Sequence, residues 1–126
     1  PPDKYVFCDL LNTVNLLLKQ CVPNKNEIHK EIDEKLDSHL LKQYIESGND
    51  TMEHYSNLFH IILEYVKKYQ SKSSDEKLEQ FKVIIEEKFY NKSDVNKLII
   101  KFFFQMIENI SLIIKQRNEF FKFINK

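Results

Sequence analysis

Gly48 is the one glycine in 126 residues, and that scarcity constrains the fold more than any other feature of the sequence. Hairpin turns, strand bulges and phosphate-cradling loops use backbone at positive φ, which glycine enters without a Cβ clash. A chain with one glycine cannot supply such turns to a many-stranded sheet, and no stretch shows the β-branched alternation of strands. Nucleotide folds that bring backbone close to phosphate through glycine-rich loops are excluded on the same ground. Helices ask for glycine only at their C-terminal ends. The sequence therefore predicts an all-α fold, as a single domain over 1–126. The chain opens on Pro1 rather than Met, and we expect a piece excised from a longer protein.

Hydrophobic spacing places the helices. Helix one is expected from Asp3 to Cys21, with Asp3 as its cap and Pro23 as its stop. Phe7, Leu10, Leu11, Val14, Leu17, Leu18 and Cys21 recur at three- and four-residue intervals and form one apolar face. Leu16 and Tyr5 lie on the other side. Helix two starts after Asn24 or Asn26 and carries Ile28, Ile32, Leu36, Leu40 and Tyr44. That four-residue stripe drifts around a helix, which suggests a bend near Asp37–Ser38, and Gly48 fits the C-terminal cap. Helix three opens on a capping box of Asp50 and Glu53 and buries Tyr55, Leu58, Phe59, Ile62, Tyr65, Val66 and Tyr69. After a loop at 71–75, a second capping box, Ser73 with Glu76, starts a helix carrying Leu78, Phe81, Ile84, Ile85 and Phe89. The last helix, capped by Ser93 or Asn91, runs from near Asp94 to near Asn125, with a break considered around Asn109–Ser111. This makes five helices, or six with a true break. The first two pairs start at an offset of about 48 residues, so the chain reads as an irregular bundle or as a short solenoid-like stack of helical hairpins. Either ends in a long apolar C-terminal helix.

That last helix holds the segment LIIKFFFQMIENISLII, residues 98–114. Lys101 and Glu108 interrupt it with six uncharged residues between them, against the ~20 that a membrane span needs, so no span is expected. Its main apolar arc is Leu98, Ile99, Phe102, Phe103, Met106, Ile107, Ile110, Ile113 and Ile114. Ile100 and Phe104, four apart, extend the arc to a further side. A helix apolar nearly all round is central in a bundle or covered by a partner. We take it as central, and we name Ile100 and Phe104, with Ile107, as candidate partner-binding residues. Leu16 is a further candidate on the outer side of helix one.

The sequence offers little to catalysis. His29, His39, His54 and His60 make no zinc spacing with each other or with cysteine. His29 and Asp33, four apart on a helix, are expected to form a surface pair. Cys8 and Cys21 fall on one helix, roughly 20 Å apart, too far to bridge. They read as small buried hydrophobes in a reducing, intracellular setting. No nucleophile elbow, metal motif or P-loop occurs. We assign no catalytic residue, cofactor or metal.

Charge narrows the partners. Lys+Arg and Asp+Glu are both 19, so the global basic excess of a nucleic-acid binder is absent. Locally, 26–53 holds eight acidic and three basic residues, and 94–126 holds three acidic and six basic. We read that asymmetry as two solvated faces with mild complementarity; mutual attraction of the two segments, or binding of oppositely charged partners, is the alternative. The C-terminal KQRNEFFKFINK mixes Lys115, Arg117, Lys122 and Lys126 with aromatics, but Phe120, Phe121 and Ile124 continue the core arc, so nucleic-acid binding is disfavoured.

The alphabet has no alanine and one arginine against eighteen lysines, a bias typical of AT-rich genomes. With the short capped helices and apolar last helix, it resembles helical adaptor domains of AT-rich viruses, including poxviral Bcl-2-like proteins. The resemblance implies a host-modulating helical protein. The glycine-containing signature of Bcl-2 proteins is absent, so no site residue carries over. From the residues themselves we expect a non-enzymatic protein–protein interaction domain of a larger intracellular scaffold or adaptor. It would take a partner helix in a groove or self-associate through the last helix. A helical subunit of an enzyme or nucleic-acid complex is a further alternative.

Overall fold

The computed structural model describes residues 3–91 and 94–125. Among them are six α-helices: α1 Tyr5–Cys21, α2 Asn26–Lys35, α3 Ser38–Glu46, α4 Met52–Tyr69, α5 Asp75–Tyr90 and α6 Val95–Ile124. A 3₁₀ turn at Lys72–Ser74 precedes α5, and the described residues contain no strand. The all-α expectation holds, and the helices form a bundle.

The Asp3 carboxylate accepts from the Tyr5 N–H at 2.9 Å at the start of α1. The helix stops before Pro23, which disfavours helical backbone at the residue preceding it. Asn24 then turns the chain at φ 66°, in the left-handed region that asparagine tolerates better than most residues. Phe7, Leu11, Val14, Leu18 and Cys21 are buried as the spacing predicts, while Leu10 and Leu17 lie at the margin of the core.

The expected second helix is two helices, α2 and α3. Asp37 caps α3, its carboxylate accepting from the N–H groups of His39 and Leu40 at 2.9 and 3.2 Å. The break shifts the register of the apolar stripe. Ile32 and Leu36 are buried, but Leu40, the next member at four-residue spacing, is exposed and Leu41 takes the buried position. Behind Glu46, Gly48 at φ 73° closes α3: its N–H donates to the Ile45 carbonyl at 3.1 Å, and the Asn49 N–H reaches the Tyr44 carbonyl at 2.8 Å. That pair of bonds is the Schellman arrangement.

Three capping expectations are corrected. Thr51, rather than Asp50, caps α4, its hydroxyl accepting from the His54 N–H at 3.2 Å. Asp50 is used elsewhere: it accepts from Tyr55 Oη at 2.8 Å and from Lys4 Nζ at 3.0 Å, tying α4 to the start of α1. Ser73 sits in the 3₁₀ turn, and α5 begins without a side-chain cap. For α6, Asp94 is the cap, accepting from the Lys97 N–H at 3.3 Å. Asn91 ends α5, and the expected cap Ser93 lies outside the described residues.

No break occurs at Asn109–Ser111. The Gln105 amide donates to Asn109 Oδ1 at 2.9 Å, so the asparagine side chain is engaged one turn back instead of competing for local backbone. The 30 residues of α6 therefore extend about 45 Å at 1.5 Å per residue.

The helix packs most extensively on α1 and also on α4 and α5. Its phenylalanines centre the core. Phe102 stacks on Phe59 at 3.8 Å between ring centroids, and Phe103 meets Phe59 edge-on at 5.9 Å. Phe7 meets Tyr55 edge-on at 5.7 Å. Phe7–Tyr55 and Lys4–Asp50 join the beginnings of α1 and α4, and Arg117, late in α6, reaches the carbonyl of Cys21 at the end of α1. Thus α1, α4 and α6 run in one direction, with α2–α3 and α5 returning.

Candidate functional site

The direction and length of α6 create the most distinctive surface of the molecule. On α6 the buried positions Leu98, Ile99, Phe102, Phe103, Met106 and Ile110 mark the core-facing arc. The same arc continues through Ile113, Ile114, Arg117, Phe120, Phe121 and Ile124. However, α1 ends where Arg117 donates to the Cys21 carbonyl. The remaining turns have no element opposite them. Phe120 is 61% exposed, Phe123 74%, Ile124 53% and Phe121 43%. The expectation that Phe120, Phe121 and Ile124 belong to the core is therefore corrected. They keep its spacing but lie beyond its end.

This tip is organised by local contacts. The Arg117 guanidinium lies over the Phe121 ring at 5.2 Å, and Phe120 meets Phe121 edge-on at 6.1 Å. A cation over an aromatic face is attracted by the ring quadrupole. Lys115 and Lys122 flank the aromatics on the polar side and outnumber Glu119. At the root of the tip, burial raises the Cys21 thiol pKa to about 11 despite the nearby Arg117 charge. It is a protonated, buried thiol at neutral pH.

The residues singled out from the sequence fall into two places. Phe104 is 58% exposed on the outward side of α6. Ile100 and Ile107 share that side but are half-buried and pack against the core. Leu16, 51% exposed, lies on α1 opposite its buried positions Leu11, Val14 and Leu18. A further apolar exposure was not anticipated: Ile84, placed on the apolar face of α5, is exposed beside Val83. The hydrophobic run V-I-I offered three neighbours for one buried position, and Ile85 took it.

A mixed groove runs between the start of α5 and the middle of α6. It has a volume of about 280 Å³, with Leu78, Phe81 and Ile113 among its lining and Gln105, Asn109 and Gln116 along the α6 side.

The polar side chains act as fasteners. His29 does not pair with Asp33 as expected. Its Nε2 lies 2.8 Å from the Val22 carbonyl and 3.1 Å from that of Lys19, so the ring binds the end of α1. Asp33 instead pairs with Lys19 and accepts from the buried Asn15 at 3.1 Å. Those hydrogen bonds, the Lys19 one foremost, hold its carboxyl below the usual range. Glu31 accepts from Tyr65 Oη at 2.5 Å, which lowers its own pKa. Burial, with the Glu31 bond, raises that of the phenol. His54 is half-buried against Tyr44, and burial lowers its pKa and favours the neutral ring.

Among the described residues, no three His, Cys, Asp or Glu side chains are grouped to hold a metal ion. Among the described residues no ion pair joins the acidic 26–53 segment to the basic 94–125 segment, in keeping with two solvated faces. No described helix is long and apolar enough to cross a membrane. No protein-family model, curated protein or solved structure matches the chain.

Proposed function

We propose that this chain is a non-enzymatic helical protein–protein interaction domain of an intracellular scaffold or adaptor. The observation that carries the reading is the apolar arc of α6, which continues past the end of α1 and leaves Phe120, Phe121, Phe123 and Ile124 in solvent. Isolated exposed hydrophobics are ordinary, but four within five residues on one helix end make a patch. Two phenylalanines going from exposed to buried would contribute roughly 3–6 kcal/mol, before the costs of association. Phe104, beside the half-buried Ile100 and Ile107, and Leu16 are lesser contacts in this reading. The two free thiols, one of them buried, suit a reducing compartment.

The test is site-specific photo-crosslinking from position 123, followed by purification of the crosslinked polypeptide and calorimetry with it. Phe120→Asp with Phe123→Asp is expected to weaken binding at least about tenfold, since both side chains would be buried at the contact. No discrete adduct, or an affinity unmoved by the double substitution, would overturn the reading.

A further inference from the structure

We propose that His54 is a proton-operated latch at the corner between α3 and α4: the neutral ring keeps the corner closed, and the charged ring releases it. The latch is independent of the apolar tip of α6.

Three features of the corner support it. The first is the setting of the ring. His54 lies in the first turn of α4, its N–H given to the hydroxyl of the cap Thr51. The imidazole packs on Tyr44 of α3 at 4.5 Å between ring centroids and meets Tyr55 edge-on at 6.0 Å. Its Nε2 is buried and has no hydrogen-bond partner among the described residues. A neutral ring with its proton on Nδ1 leaves only a lone pair at that position. An imidazolium must place an N–H there, and a charged donor with neither water nor an acceptor is far more costly to bury.

The second is the local field. The first turn of α4 is the positive end of the helix dipole, which disfavours a cation. The titratable groups around the ring are Tyr44 on α3, Asp50 between the two helices and Tyr55 on α4, while Glu53 in the same turn is exposed. Asp50 draws a proton toward His54, but burial outweighs it. The Asp50 carboxylate is already engaged by Tyr55 and, from α1, by Lys4, whose positive charge offsets its own.

The third is what the ring holds. The short helix α3 lies between two joints, the break at Leu36–Asp37 and the left-handed Gly48. It packs on α1, and Tyr44 near its C-terminal end meets α4 through His54. The Tyr44 carbonyl also accepts from the Asn49 N–H at 2.8 Å, which closes the same corner. A proton on His54 therefore favours any state in which Tyr44 has left the ring and Nε2 reaches water.

In the open corner His54 titrates at its ordinary 6.5. The closed corner is fully favoured above that pH and loses ground as pH falls below it. With the closed ring neutral, the open fraction scales as 1 + 10^(6.5 − pH), about tenfold between about pH 7.5 and about pH 5.5. Asp50, held below the ordinary 3.8, stays ionised over that window.

The experiment is amide hydrogen exchange of the purified chain, followed by NMR at those two pH values and corrected for intrinsic exchange rates. The amides read are Asn49, bonded to the Tyr44 carbonyl, and Tyr55, bonded to the Thr51 carbonyl. In the wild type their protection is expected to fall by about tenfold on acidification, and by at least about threefold. His54→Phe keeps a ring against Tyr44 without the proton site, and its fall should stay below about threefold. His60→Gln, which removes an exposed histidine of the same helix, should keep the wild-type fall. A wild-type fall below about threefold, a larger one in His54→Phe, or its loss in His60→Gln overturns the latch. The wild-type ring titration by NMR needs no variant to fold: a value below 6.5 is expected, and one at or above 6.5 overturns the proposal.

Discussion

Asn15 is the one buried polar residue among the described residues, 6% exposed on the inner face of α1. Its amide donates to the Leu36 carbonyl at 3.1 Å and to Asp33 Oδ1 at 3.1 Å. In an unbroken helix the Leu36 carbonyl would accept from the Leu40 N–H. Here that N–H is given to the Asp37 carboxylate, because Asp37 restarts the chain as α3. Asn15 supplies the missing donor, and Leu36 is 1% exposed, so water does not readily replace it. Asn15→Ala leaves a buried carbonyl unsatisfied, at about 1–3 kcal/mol, and opens a small void. The loss at Asp33 adds little, because that carboxylate is largely solvated and keeps Lys19. The expected total is about 2–3 kcal/mol. Asn15→Leu removes the void but keeps the orphaned carbonyl, for an expected loss of about 1–2 kcal/mol. Urea unfolding followed by circular dichroism, analysed with a common slope, gives both values. If Asn15→Leu is as stable as the wild type, the argument that Asn15 maintains the α2–α3 break is wrong.

Three further outcomes follow from the packing. Phe102→Ala should cost about 3–5 kcal/mol and Phe104→Ala less than about 0.5, since the first ring is fully buried and the second 58% exposed; equal losses in urea melts would contradict the assigned faces of α6. Gly48→Ala should cost about 1–2 kcal/mol through its positive φ alone, because no atom lies within 4 Å of an added Cβ; Gly48→Asn should cost less, and the same melts would report it. Burial raises the Asp50 pKa, but bonds from Tyr55 and Lys4 outweigh it and leave the folded value below the ordinary 3.8. A lowered folded value means stability present above that pH and lost as pH falls through the folded value. Asp50→Asn should therefore flatten the acid limb of a stability–pH profile below about pH 4, and an unchanged slope would exclude Asp50 as a contributor.

Of the candidate site, the sequence showed the ingredients and misplaced them. The three-four spacing of Phe120, Phe121 and Ile124 is the spacing of a core arc, and a spacing carries no information about height along a bundle. The charge asymmetry between 26–53 and 94–126 was visible too. Ile100 and Phe104 shared a stripe on paper. In the bundle one packs against the core and the other stands out, because burial across a helix falls off gradually from the contact line.

What the sequence determined alone is local or periodic. One glycine ruled out sheet turns, and the same residue closes α3 where its freedom was expected to be used. The 3.6-residue period set the inner faces of α1, α4 and α6, since a helix carries its side chains on a fixed wheel. What only the tertiary structure decided depends on what stands opposite. Thr51 could cap α4 while Asp50 reached across to Lys4. Asn15 could be buried because α2 ended a carbonyl beside it. The last turns of α6 became surface because α1 is 17 residues long and α6 is 30. An apolar face records which side of a helix seeks cover, and only the arrangement of its neighbours decides where that cover ends.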